Sequence, residues 1–441
     1  MSLGLVGNMS QYKLIYFDFR GRGELSRLLF ALAGQEYEDV RFKREDWPAE
    51  KDKYIFGRVP VLEVDGKQYG QSMAIANFLA KRFGFHGSTE VEVLEVDQVL
   101  GIVGDILAAM GRAFMEKDEG RKAEIVKENT ETNIPRFLGF LETVLKNNNT
   151  GYYVGDKLGY ADVAAFDILF AAGVEQRFEG RFPLVKANFE KVKTNEKIAQ
   201  WLAKRPQTPI YATAYRRSQN KASRRESGTY STRAHITIMP TYRFRYFDYK
   251  AVGELSRLLF ALAGQEYEDV RITYETWPSE KPNTPLGQVP VLEIDGKPFS
   301  QSSAISRYLA RTFGFYGNGD LEALAVDQVL GVVQDVNTFM RDYHKEQDEA
   351  KKAEFLKEAK DVKIPLYFGM FEKLLKNNGS TGLFVGKKIS IADVSLFDIC
   401  DKTTEAMLKM EDYPLVKKCC DNVAANPKIK AWVEKRPVTA F

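Results

Sequence analysis

Apolar positions along the chain follow two periods. Lys13 to Phe17 is a short, mostly apolar stretch that reads as a buried strand. From Glu24 to Ala33, the residues Leu25, Leu28, Leu29 and Leu32 recur on one helix face, and Gly34 is a suitable stop. Val61 to Val64 and Gln68 to Tyr69 flank Asp65-Gly66-Lys67, a hairpin signal. A helix over about 72–83 closes this half, and a further strand is expected before the hairpin. The order βα, β, ββα predicts an α/β layer on a small mixed sheet. Beyond it no stretch alternates like a strand. Val91 to Phe114, Arg121 to Leu145, Ala161 to Gly173 and Glu196 to Lys204 read as helices. The predicted class is therefore α/β plus all-α.

The same pattern then returns. Gly23 to Arg41 and Gly253 to Arg271 are the same 19 residues at an offset of 230. The offset holds at Trp47 and Trp277, at Val59 and Val289, and at Gln71-Ser72 and Gln301-Ser302. It becomes 231 after an insertion near Ser380, so that Asp162 matches Asp393 and Trp201 matches Trp432. A period this long marks a duplicated protein rather than a solenoid. The expected domains are an extension at 1–8, an α/β domain at 9–87 and a helical domain at 88–210. A linker at 211–238 follows, then an α/β domain at 239–317 and a helical domain at 318–441. The linker carries Arg216, Arg217, Lys221, Arg224, Arg225 and Arg233 against Glu226. It reads as a solvated tether, with a basic patch for acidic partners as the alternative.

Composition narrows the function classes. Lys plus Arg is 63 and Asp plus Glu is 60, a net charge of +3, which gives no reason to expect a nucleic-acid partner. No apolar run approaches a membrane span, and Met1 to Ser10 lacks the charged start and apolar run of a signal peptide. Three cysteines exclude a disulfide framework and suggest a cytoplasmic setting. Chemistry shared by both copies should recur at the offset. Histidine and cysteine do not: His86 faces Tyr316, His344 faces Phe114, and Cys400, Cys419 and Cys420 all lie in copy two. Shared Cys-His, Ser-His or zinc-histidine chemistry is thereby disfavoured, and no metal is expected.

What recurs is a set of polar and aromatic residues. In copy one they are Tyr16 after the first strand, Trp47-Pro48, Lys51, Val59-Pro60, Gln71-Ser72 and Asp105. In copy two they are Tyr246, Trp277-Pro278, Lys281, Val289-Pro290, Gln301-Ser302 and Asp335. Together with KLxYFD, GELxRxxFA, VPVLEVDGK and a terminal RPxTxF, this set resembles the cytosolic glutathione transferases, most of all the sigma class with its glutathione-dependent prostaglandin D synthases. The resemblance implies a thioredoxin-like domain followed by an all-helical domain in each copy, and glutathione as co-substrate. Tyr16 and Tyr246 would donate a hydrogen bond to the glutathione sulfur, with Arg22 close to the thiolate. Val59-Pro60 and Val289-Pro290 would form a cis-proline turn that pairs with the cysteinyl backbone. Gln71-Ser72 and Gln301-Ser302 would receive the γ-glutamyl carboxylate at a helix start. Trp47 and Lys51, with Trp277 and Lys281, would hold the glycyl carboxylate. Asp105 and Asp335 would reach the γ-glutamyl amine across a dimer interface.

The chain departs from this pattern in places. Val252 stands where copy one has Arg22, which predicts unequal sites. Arg112 and Asp342 occupy the position at which mammalian prostaglandin D synthases place a tryptophan, which favours general conjugation of apolar electrophiles. Ile106, Met110, Val336 and Met340 would line the electrophile pocket. The copies are expected to pair as an intramolecular pseudo-dimer or through homo-oligomers. The competing functions are a glutathione-dependent isomerase or peroxidase, and a non-catalytic ligand carrier or crystallin-like derivative.

Overall fold

The computed structural model describes residues 10–178, 180–206, 240–403 and 407–439. The expected extension, the linker and the extreme C-terminus lie outside them. In copy one, β1 (Tyr12–Phe17) leads to α1 (Glu24–Ala33) and then β2 (Glu38–Phe42). Strands β3 (Val61–Val64) and β4 (Lys67–Tyr69) precede α2 (Ser72–Arg82). The sheet order is β2-β1-β3-β4, with β1 parallel to β2 and antiparallel to β3. This is a thioredoxin-like layer. Leu14 and Leu62, paired across β1 and β3, are fully buried and meet Leu28, Leu29, Ile75 and Leu79 from the helices. Gly34 takes the left-handed conformation that ends α1, as the sequence predicts.

The helical layer holds α3 (Glu90–Met115), α4 (Glu119–Glu128), α5 (Ile134–Asn148), α6 (Tyr160–Ala172), α7 (Pro183–Lys193) and α8 (Glu196–Lys204). Two expectations need correction. The continuous helix over 121–145 is broken by a π-turn at Asn129–Asn133, next to Pro135, which has no N–H to continue an α ladder. Inside that turn the Asn129 side chain donates to the Ala109 carbonyl at 2.8 Å and so ties the break to α3. The helix α7, starting on Pro183, was not expected at all. It packs through Val185, Phe189 and Val192.

Asp162 anchors this layer. It accepts from the backbone N–H of Tyr153 at 3.0 Å and of Gly159 at 2.9 Å, and from the Asn188 side chain at 2.6 Å. The two layers are clasped by Glu24, buried at the start of α1, which accepts from Trp201 Nε1 at 3.0 Å and Arg205 at 2.5 Å. The recurring Trp201 and Arg205 are therefore structural.

Copy two repeats the plan with β5 (Tyr242–Phe247), α9 (Glu254–Ala263), β6 (Glu268–Ile272), β7 (Val291–Ile294), β8 (Lys297–Ser300) and α10 (Ser302–Thr312). Its helices are α11 (Gly319–Lys345), α12 (Glu349–Glu358), α13 (Ile364–Asn377), α14 (Ile391–Lys402), α15 (Pro414–Ala424) and α16 (Pro427–Lys435). Glu254 makes the same clasp to Trp432 and Arg436, each at 2.9 Å. Between the copies, α2 packs on α11 and α10 packs on α3.

Candidate functional site

The end of β1 delivers Tyr16 into a tightly enclosed position, where it is only 2% exposed. Its phenolic oxygen accepts a hydrogen bond from the Arg22 backbone N–H at 3.0 Å. A methyl group on Gly23 would stand 2.7 Å from the ring, so glycine here is a packing requirement. The Arg27 guanidinium lies 5.8 Å from the ring centroid on the buried side. It donates to Asp39 at 3.2 Å and to the Phe19 carbonyl at 3.0 Å. Tyr246 repeats this arrangement with Gly253, Arg257 and the backbone of Val252. Burial pushes the Tyr246 phenol up to about 12, so at neutral pH it is a protonated donor.

Beside Arg22, whose backbone N–H binds Tyr16, lies a small, partly open cleft. Copy one lines it with Arg22, Phe56, Arg58, Val59, Pro60, Gln71 and Ser72, and copy two contributes Asp335. The Val59-Pro60 and Val289-Pro290 bonds are cis. Ser72 is the first helical residue, and Gln71 holds the cap position without a side-chain cap bond. The first N–H groups of α2 are therefore presented at the cleft, where an anion is favoured. Gln71 has φ 69° and Gln301 has φ 75°. A non-glycine residue at positive φ costs on the order of 1–3 kcal/mol, and such strain clusters at functional positions.

The turned glutamines reach into the opposite copy. Gln71 Nε2 donates to Asp335 at 3.4 Å, and Gln301 Nε2 donates to Asp105 at 3.3 Å. Gly101 and Gly331 make room for them, because a methyl group at either would stand 2.8 Å from the facing glutamine. The surroundings of the two carboxylates differ. Arg58 pairs with Asp335 at 3.2 Å, whereas its counterpart beside Asp105 is Gln288. Burial pushes the Asp105 carboxyl above its ordinary range.

Not every expected residue reaches the cleft lining. Trp47 sits on a single turn, Trp47–Glu50, and stacks on Phe42 at 5.6 Å. Lys51 follows it and is exposed. Trp277 packs edge-on against Phe247 at 5.6 Å, and Lys281 is exposed. Val252 is half-exposed and carries no charge where Arg22 lines the first cleft. Copy two instead has two added phenols. The Tyr249 ring lies 5.6 Å from Tyr246, and its hydroxyl meets that of Tyr274 at 3.3 Å. Copy one has Phe19 and Arg44 at these positions.

Sequence reasoning missed several participants. Gln328 accepts from the Gly70 backbone N–H at 2.5 Å and Gln98 from that of Ser300 at 2.7 Å, each across the copies. The signal was present, since VDQVLG recurs at 96–101 and 326–331. Arg58 gave no such signal, because its counterpart is Gln288. Among the described residues no cluster of metal-ligating side chains is present, and no helix is long and apolar enough to cross a membrane.

A thioredoxin-like layer, a helical layer and a buried tyrosine in the first strand are each present twice. The model of the glutathione S-transferase N-terminal domain matches residues 12–81 and 243–311, and that of the C-terminal domain matches 104–205 and 334–436. The chain is 40% identical to glutathione S-transferase 2 of Manduca sexta over 207 residues, 46% of this chain and all of that protein. It is 39% identical to glutathione S-transferase 1 of Ascaris suum over 206 residues, again 46% of this chain and all of the relative. A solved prostaglandin synthase D of Nilaparvata lugens is 37% identical, with a TM-score of 0.42, over 45% of this chain and all of that one. The chain belongs to the glutathione S-transferase family, with its N- and C-terminal domains present in tandem. It is a transferase that conjugates glutathione, its co-substrate, to electrophiles.

Proposed function

We propose that the chain carries two glutathione sites, each built on one copy and completed by a carboxylate of the other, within an intramolecular pseudo-dimer. The observation that carries this is the first cleft, where Arg22, Val59, Gln71 and Ser72 of copy one surround the same space as Asp335 of copy two. In it the γ-glutamyl carboxylate lies at the start of α2 and its amine faces Asp335. The Val59 main chain pairs with the cysteinyl unit. Trp47 and Lys51 take the glycyl carboxylate at the edge. Site two uses Val289, Pro290, Gln301, Ser302, Trp277, Lys281 and Asp105 in the same roles.

A free thiol with a pKa near 8.5 is only a few per cent thiolate at pH 7. Tyr16 and Tyr246 donate to the sulfur, and a hydrogen bond to a charged group contributes about 1.5–3 kcal/mol, roughly one to two pKa units. The backbone N–H already bound to the phenolic oxygen of Tyr16 orients the hydroxyl and favours its role as donor. Thiolate then becomes a major species and attacks the electrophile directly. The recurring motifs support a sigma-class reading. Arg112 and Asp342, polar where a prostaglandin-binding tryptophan stands in mammalian members, support general conjugation and a detoxifying role in the cytoplasm.

The sites are unequal in this reading, because Arg22 adds a positive charge at the first and Val252 adds none at the second. Ultraviolet thiolate absorbance of bound glutathione tests both points. With Tyr246→Phe only site one remains effective, and its thiol should titrate at lower pH than that of site two seen with Tyr16→Phe. Equal titrations would remove the inequality. Absence of a bound thiolate in the intact chain would remove the proposed role of the tyrosines.

A further inference from the structure

The two copies meet through surfaces that have diverged from each other. We infer that this interface is coded for unlike partners, so that copy one selects copy two and disfavours a second copy one. The inference rests on the pairing proposed above and adds its specificity.

The buried centre of the contact holds one carboxylate from each copy, Asp97 and Asp327, both 3% exposed. Both of their arginines come from copy two. Arg311 binds Asp97 at 2.7 Å across the interface, and Arg307 binds Asp327 at 3.1 Å within its own copy. Asn77 of copy one donates to Asp327 at 2.5 Å, and Tyr316 also donates to it. His86 stays on its own copy, bonded to Asn77 at 2.7 Å. The copy-one counterparts of Arg307 and Arg311 are Asn77 and Lys81. Lys81 is 56% exposed and is engaged with Asp320 at 3.2 Å, away from the centre. Unlike pairing therefore sets two arginines against two aspartates. Two copies of the second kind would crowd four arginines around two aspartates. Two of the first would offer each Asp97 only Asn77 and Lys81, without the guanidinium fork by which Arg311 binds both Asp97 and Glu90. An unpaired buried charge is strongly unfavourable, and clashes of this kind are how interfaces reject wrong partners.

Packing points the same way. Phe56 inserts into the core cluster of copy two, whereas the matched Leu286, 4% exposed, fills the socket in copy one. Arg58 stacks on Tyr367 at 5.4 Å, and copy one offers Phe137 there. A pair of first copies would force Phe56 into a socket shaped for leucine, and overpacked cores are destabilised. At the edge Lys297 binds Glu95 at 2.6 Å, while Lys67 faces Ala325 at the matched place.

The test starts from the folded intact chain with a protease site placed in 211–238. After cleavage, labelled and unlabelled preparations are mixed, diluted and reconcentrated, and the pairs are counted by native mass spectrometry. Unlike pairs should persist, with like pairs below about a tenth of the total, whereas random re-pairing of two equal halves makes about half of all pairs alike. Random proportions would overturn the coding while leaving the pairing. Halves that separate and keep full conjugating activity would overturn the pairing itself and the composite site. In the cleaved chain, Arg307→Asn with Arg311→Lys, which restores the copy-one residues, should weaken the unlike pair at least tenfold. The same variant pairing as tightly as the parent would contradict the charge code.

Discussion

Replacing both Tyr16 and Tyr246 by phenylalanine should lower the conjugation of glutathione to chlorodinitrobenzene on the order of 10- to 100-fold, the equivalent of one charged hydrogen bond per site. Each single variant should keep a substantial share of the activity, because the other site still works. The fold should survive. In copy one the change removes the bond from the Arg22 N–H, and both rings keep their packing against Gly23 and Gly253. The loss should fall on kcat more than on KM for glutathione, since the tyrosine contacts the sulfur and the rest of the tripeptide is held elsewhere. Loss in Tyr16→Phe alone would mean that copy two has become a partner that only completes the first site. Full activity in the double variant would separate the tyrosines from the chemistry.

The second large effect is structural. Arg27→Met should destabilise copy one by about 3–5 kcal/mol, the usual result of removing one partner from a buried charge network. Arg27 is completely buried. Its loss takes one donor from Asp39, which keeps Arg41, removes the donor to the Phe19 carbonyl, and strips a nearby cation from Glu24. It also removes the cation behind Tyr16. Lysine would not restore the site, because one ammonium cannot reproduce the planar fork that serves a carboxylate and a carbonyl together. Melting followed by circular dichroism should show an earlier first transition, accompanied by loss of site one. Lys13→Met, which removes a half-exposed surface ion pair to Glu38, should change little. An Arg27→Met chain that melts like the parent would contradict the proposed role of the network.

Periodicity was enough to find the α/β layer, because the apolar run of β1 and the leucine stripe of α1 are buried and Gly34 ends the helix by its own conformation. The helical layer was less legible. The π-turn at Asn129–Asn133 preserves the helical pattern of apolar residues while shifting the register, so its signal in sequence is only Pro135 and a buried Asn129. Helix α7 begins at Pro183 with a mixed, lysine-rich face that hides its apolar stripe. For the site, the duplication acted as an internal filter that isolated Tyr16, Val59-Pro60, Gln71-Ser72 and Asp105 from the background. The same filter discarded residues in which the copies differ. Arg58, Asn77, Lys81 and Arg311 carry much of the asymmetry between the copies, and their meaning rests on contacts between residues more than 200 positions apart.

In the proposed arrangement one chain holds two glutathione sites, and each needs the other copy. Titration calorimetry of glutathione into the intact chain, and into Asp335→Asn, tests it most directly. Two molecules should bind per chain, with Asp335→Asn weakening only the site that contains Tyr16. One molecule per chain, or an Asp335→Asn chain that binds both as tightly as the parent, would contradict it.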